Sequence, residues 1–146
     1  MGQGEYESLR LENQLCFPLY ACAREVVKRY KPYLDEIDLT YTQYVTMMVL
    51  WEKPEVTSKE IGDRLHLDSG TLTPVIKKLA EKGLVTRRRA PEDERNLVVT
   101  LTEAGLALRD RAVGIPAQMG QCLRLAPEDA RALHRILYQM LEEMGD

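Results

Sequence analysis

Residues 57–101 leave few folds open. Thr57-Ser-Lys-Glu60 has capping-box spacing, with the Thr side chain on the first free amides and the Glu reaching back. It opens a short helix, SKEIGDRL. After a turn at His66-Leu67, Asp68 or Ser69 caps a second helix running to Lys82, with Gly83 as its stop. In that helix Leu72, Val75, Ile76 and Leu79 follow the i, i+3, i+4, i+7 pattern and point inward. The opposite side carries Gly70, Pro74, Lys77 and Glu81, flanked by Thr71, Thr73 and Lys78. LVTRRRAPEDERNLVVTL then reads as two strands around a polar tip, with Leu97, Val99 and Leu101 inward at period two. Two helices at a tight turn followed by a hairpin make a winged helix-turn-helix.

The charge follows the same segment. Between Thr71 and Arg89 there are six basic residues and one acid, a local +5, so the rest of the chain carries −8 against a total of −3. A basic stripe on an acidic body is the footprint of a DNA-binding face. Small residues near the start of the second helix permit close approach to a major groove, and lysines further along reach phosphates. Arg87 and Arg89, alternate residues beside the wing, are expected to share one face and contact phosphate.

The flanking segments are helical. From about Glu5 to Tyr30 apolar side chains recur at helical spacing, and Lys31-Pro32 is expected to end this first helix. Pro18 within it predicts a kink or a late start. Asp38 or Thr40 can cap a helix over Tyr41–Trp51. Thr102 and Glu103 begin a helix to about Cys122, bent at Gly114 and Pro116, and Pro127 opens a last one. That last helix has a continuous apolar stripe at Leu133, Ile136, Leu137, Met140, Leu141 and Met144. The expected fold is mainly α with a small β-hairpin, one domain over 1–146. A winged helix-turn-helix at about 36–102 lies between dimerisation helices at about 5–35 and 103–146. Burying the outer helices against a second copy gives a homodimer, which suits palindromic half-sites; a monomeric helical bundle is the alternative.

The 146 residues contain no run of about 18 apolar positions, so no membrane-spanning helix is expected. The N-terminus lacks the order of a secretory signal, and Tyr6 stands where a myristoylation signal has Ser or Thr. Three cysteines without CxxC spacing argue against a disulfide framework or zinc site, and point to a reducing, cytoplasmic setting. No metal or cofactor is expected. His66 and His134 fall in no metal-ligand pattern, and Glu92-Asp-Glu94 reads as a turn.

The whole order of elements resembles the MarR family of transcription regulators. More narrowly, LENQLCF (11–17), YKPYLD (30–35), LTYTQY (39–44), LDSGTLTP (67–74) and EDER (92–95) are similar to its organic-hydroperoxide-sensing branch, OhrR. The resemblance implies a dimeric repressor that holds double-stranded operator DNA while a cysteine is reduced and lets go when a peroxide oxidises it. It implies that Cys16 is the sensing thiol, that Tyr30 and Tyr41 hydrogen-bond it, and that Tyr20 lines the same pocket. It assigns Asp68, Ser69, Thr71, Thr73 and Lys77 to the recognition helix. At the wing it implies Arg95 as the side chain entering the minor groove, oriented by Asp93.

Cys16 and Tyr30 lie fourteen residues apart on one expected helix, about 21 Å at 1.5 Å per residue, so their contact requires the partner subunit. Cys22 is about 9 Å along the axis from Cys16, too far for a bridge. Cys122 is left as a candidate resolving thiol, implied by the family's two-cysteine members, with a buried apolar role and capping by a small thiol as the other reading. Tyr33 and Tyr44 read as core aromatics. Two rivals remain: a regulator of this family answering a small aromatic ligand, with bystander cysteines, and a thiol peroxidase. No redox motif of the strand–turn–helix kind supports an enzyme.

Overall fold

A computed structural model describes residues 3–91 and 93–145, and leaves the side chains of 3 and 93–95 outside the description. Two short 3-10 turns, Gln3–Leu9 and Leu11–Asn13, precede seven α-helices and three strands. In chain order these are α1 (Cys16–Asp35), α2 (Tyr41–Glu52), β1 (Glu55–Thr57), α3 (Ser58–Leu65), α4 (Ser69–Glu81), β2 (Val85–Ala90), β3 (Asp93–Leu101), α5 (Glu103–Ala112), α6 (Ile115–Leu123) and α7 (Pro127–Met144).

The caps explain where the central helices start. Thr40 takes the amide of Gln43 while the Gln43 side chain takes the amide of Thr40, a full capping box on α2. Thr57 caps α3 through the Glu60 amide at 3.1 Å. The Glu60 carboxylate does not reach back as expected; Lys53 holds it at 3.3 Å. Asp68 caps α4 through the Thr71 amide, and Thr102 caps α5 through that of Gly105. Gly83, at φ 78°, lets the chain leave α4 in the left-handed region.

Both prolines of α1 depart from simple rules. Pro18 occupies the third helical position, where no amide has an intrahelical partner, so it costs nothing there. The same ring would crowd the carbonyl of Gln14 in a longer helix, which accounts for the start at Cys16 rather than near Glu5. Pro32, expected to end the helix, lies inside it. An interior proline costs about 3 kcal/mol. Continuing past it delivers Leu34, Ile37 and Leu39 into the core, about 2 kcal/mol each, which outweighs that cost. The expected bend in the fifth helix is a full break: Gly114 ends the run, and Pro116 sits at the second position of α6.

The wing has a third strand. The sheet order is β1-β3-β2, both pairs antiparallel, with Val56 opposite Val99 and Val85 opposite Leu101. Around it the core gathers Tyr44, Met47 and Leu50 of α2, Ile61 of α3, and Leu72, Ile76 and Leu79 of α4. Lys82, just past α4, donates to the Asp38 carbonyl and to Gln43 Oε1 (3.0 Å), so the end of α4 is fastened to the α1–α2 junction. Trp51 Nε1 donates to the Gly105 carbonyl at 2.9 Å and ties α2 to α5.

α7 and the start of α1 are left uncovered within one chain. α7 has no buried residue among those described, and Leu133, Ile136 and Met144 of its stripe are exposed. Leu15, at the other end of the chain, is 80 % exposed. No described helix is long and apolar enough to cross a membrane.

Candidate thiol site and nucleic-acid interface

Cys16 is the first residue of α1 and is exposed. Tyr30 lies fourteen residues on along the same unbroken helix, about 21 Å away, so the two do not meet within one chain. Tyr20 is 58 % exposed, with the Arg24 guanidinium 4.8 Å over its ring, and lies ten residues from Tyr30. Of the expected thiol-site residues, the structure brings together Tyr30 and Tyr41, with ring centroids 4.9 Å apart.

Tyr44 completes a cluster with them, 5.7 Å from Tyr30 and 6.2 Å from Tyr41. It is 2 % exposed, a core residue as expected, but one that also backs the other two rings. Beside Tyr41 a hollow of about 270 Å³ opens between α1 and α2, with Val27, Leu34 and Leu39 in its wall. Burial, with the neighbouring phenols Tyr41 and Tyr44, pushes Tyr30 up to about 12; burial raises Tyr41 and Tyr44 as well. These hydroxyls therefore stay protonated and available as donors at neutral pH.

The shift has a stability consequence. An unfolded tyrosine loses its proton near 10 and folded Tyr30 near 12, so the native state holds the extra proton between them. The stabilisation is complete below pH 10 and is lost as pH rises through about 12. A phenolate absorbance titration is expected to show a late component that Tyr30→Phe removes. If the variant keeps that component, it belongs to another residue.

Cys122 lies near the end of α6 and is half-buried. Its sulfur is 3.5 Å from the Tyr33 hydroxyl, a contact across 89 positions that sequence reading missed in calling Tyr33 a core aromatic. The contact with Cys122 is the main reason the Tyr33 phenol lies above its usual range, and either group can donate in it. Tyr33 is one turn along α1 from Tyr30, which brings Cys122 near the tyrosine cluster of its own chain. Cys22 lies on α1 and shares an open cleft with Cys122.

The residues expected to meet nucleic acid belong to α4, its cap and the wing. Asp68 is the α4 cap, its carboxyl held below the usual range by the backbone and side chain of Thr71. Thr73 donates to the Ser69 carbonyl at 2.7 Å. Ser69, Thr71, Thr73 and Lys77 are all exposed along α4. Of the basic stripe, Lys78 pairs with Glu81 at 3.7 Å, and Lys82 is committed to the α1–α2 junction. Arg88 pairs across the sheet with Glu55 at 3.4 Å. Arg87 and Arg89 point to the opposite face from Arg88, by the strand's period of two, and are exposed. The side chains of Asp93 and Arg95 lie outside the described residues.

Asn96 is a further element that sequence reading passed over. Its side-chain oxygen accepts from Ser58 Oγ at 3.1 Å and from the Lys59 amide at 3.2 Å, while the Leu97 amide donates to Ser58 Oγ. These bonds fix the base of the wing to the start of α3. The antiparallel β1–β3 register, with Thr57 opposite Val98, carried two residues further sets Asn96 beside Ser58 and Lys59, and composition carries no sign of that pairing.

Residues 28–111 match the family model described as "Transcriptional regulator SarA/Rot". The chain is 44% identical over 142 residues to the "Organic hydroperoxide resistance transcriptional regulator" of Bacillus subtilis (strain 168), covering 97% of each. Among solved structures it is similar to AbfR of Staphylococcus epidermidis in its reduced, DNA-bound form, with TM-score 0.78, 33% identity, and 97% of this chain and 99% of that one covered. Against the disulfide form of the same protein the TM-score is 0.66 at 32% identity and the same coverage.

Proposed function

We propose, for a chain that belongs to the SarA/Rot and MarR type of transcriptional regulators and within them to the organic-hydroperoxide-resistance branch, a DNA-binding repressor that senses organic hydroperoxides through Cys16 and then releases its operator. It works as a homodimer, with residues 36–102 as the winged helix-turn-helix and the outer helices as the interface. The observation that carries this reading is an exposed thiol at one end of α1 and a protonated tyrosine pair, without that thiol, at the other. Antiparallel pairing of α1 with its copy brings the Cys16 of one chain to Tyr30 and Tyr41 of the next.

The chemistry follows from those donors. A thiolate attacks the peroxide O–O bond, and two phenols stabilise its charge while leaving the sulfur nucleophilic. The apolar wall at Val27, Leu34 and Leu39 favours an organic peroxide over hydrogen peroxide. Oxidation gives a sulfenic acid, which condenses with a second thiol. Cys122 fits that role, because the Tyr33 it touches lies one turn of α1 from Tyr30, where the neighbouring Cys16 is received. The protein is a stoichiometric sensor and not an enzyme.

On DNA, α4 enters the major groove with Ser69, Thr71 and Thr73 at its leading end. Lys77, Arg87 and Arg89 contact phosphates, and Arg95, oriented by Asp93, enters the minor groove. Arg95→Ala is expected to weaken operator affinity about tenfold, read by anisotropy at fixed salt; unchanged affinity would argue against its role. The reading as a whole is tested by titrating the operator-bound dimer with cumene hydroperoxide. Release near one equivalent per thiol supports it, whereas many turnovers with a thiol reductant would make the protein a peroxidase.

A further inference from the structure

We propose that the cleft between α1 and α6 is a thiol-exchange site, at which Cys122 takes up a small carboxylate-bearing disulfide recognised by Arg29 and Arg124. The cleft holds about 510 Å³, a volume suited to a small ligand, and Cys22, Glu25, Arg29, Cys122 and Arg124 line it. Two thiols and two guanidiniums therefore share one opening. The one acid in the wall, Glu25, is engaged by Lys28 at 3.5 Å, which leaves the cleft cationic. Guanidinium forks match carboxylates in charge and shape better than any other side chain.

Cys122 is the thiol prepared to react. The Tyr33 hydroxyl lies 3.5 Å from its sulfur, placed to donate to a Cys122 thiolate. Cys22 is exposed and has no such donor among the described residues. Arg124 stands beside Cys122 in the left-handed conformation that ends α6, with φ 53°.

The exchange balances without a further reagent. The Cys122 thiolate attacks one sulfur of the small disulfide, a new S–S bond forms as the old one breaks, and the departing thiolate takes a proton from solvent. Cys122 is oxidised and the departing half is reduced. A Cys122 carrying this cap is unavailable to oxidised Cys16, so the cleft sets which route follows sensing. That last consequence rests on Cys122 as the resolving thiol; the exchange itself does not.

The test uses full-length Cys16→Ser dimer, so a wrong assignment of the sensing thiol leaves it unaffected. Oxidised glutathione, which carries carboxylates, is compared with cystamine, which is cationic, each rate divided by its rate with free N-acetylcysteine. Intact mass and peptide mapping are expected to give one adduct per chain, on Cys122, with glutathione favoured about tenfold. Arg29→Ala with Arg124→Ala is expected to abolish that preference, and Tyr33→Phe to slow both reagents about tenfold. Equal normalised rates, an adduct on Cys22, or a Cys22–Cys122 bridge would each overturn the proposal.

Discussion

Cys16→Ser is expected to bind operator DNA as tightly as the native protein and to stay bound when an organic hydroperoxide is added. The substitution removes one sulfur from an exposed position at the start of α1, outside the core, so stability is expected to stay within about 0.5 kcal/mol. A serine hydroxyl has no thiolate to attack the peroxide and no sulfenic state to reach. Anisotropy of a labelled operator duplex at fixed salt reads both properties in one titration. Native protein is expected to dissociate near one equivalent of cumene hydroperoxide, and the variant to remain bound at roughly tenfold excess. Dissociation of the variant at the native dose would move the sensing role to Cys22 or Cys122.

The second large effect is on folding. A Cβ added to Gly105 would lie 2.2 Å from the Leu84 carbonyl oxygen and 2.7 Å from Leu101 Cδ1. The Leu101 methyl can rotate aside, but the Leu84 backbone cannot withdraw cheaply. The Leu84 carbonyl accepts from the Thr102 amide at 3.1 Å, its own amide bonds Leu79, and the Gly105 carbonyl holds Trp51. Gly105→Ala is therefore expected to cost about 3 kcal/mol, the upper range for overpacking, and to lower Tm by about 10 °C. Gly114→Ala is the control: nothing lies within 4 Å of its added Cβ, and a change under about 1 kcal/mol is expected. A Gly105→Ala protein melting with the native one would show that the α5–wing packing relaxes freely.

What could be read from the sequence was local. Thr57, Asp68 and Thr102 each cap the helix expected of them, because a cap needs only neighbours three residues away. What escaped depended on distant partners. The rule that a helix stops before proline failed at Pro32 because tertiary burial of Leu34, Ile37 and Leu39 overrode a local cost. β1 is three residues long, too short for a period-two pattern, and exists because β3 pairs with it. Arg88 looks like its two neighbours until Glu55, thirty-three positions away, is seen beside it. The Tyr33–Cys122 bond spans the chain, and no periodicity announces such a contact. The pairing of Tyr30 with Tyr41 was legible, while the Tyr44 backing and the hollow beside Tyr41 were not.

The fastening of Lys82 to Asp38 and Gln43 makes α1 a lever. The helix is 20 residues long, about 30 Å, and the recognition helix is clamped to its far end. A tilt of about 6° at the Cys16 end displaces that clamp by about 3 Å, close to the 3.4 Å spacing of stacked base pairs. In a dimer the two arms move in opposite senses, so the separation of the reading heads changes by nearly two base steps. On the proposed reading, a tilt of that size following oxidation of Cys16 is large enough, in length alone, to put both half-sites out of phase.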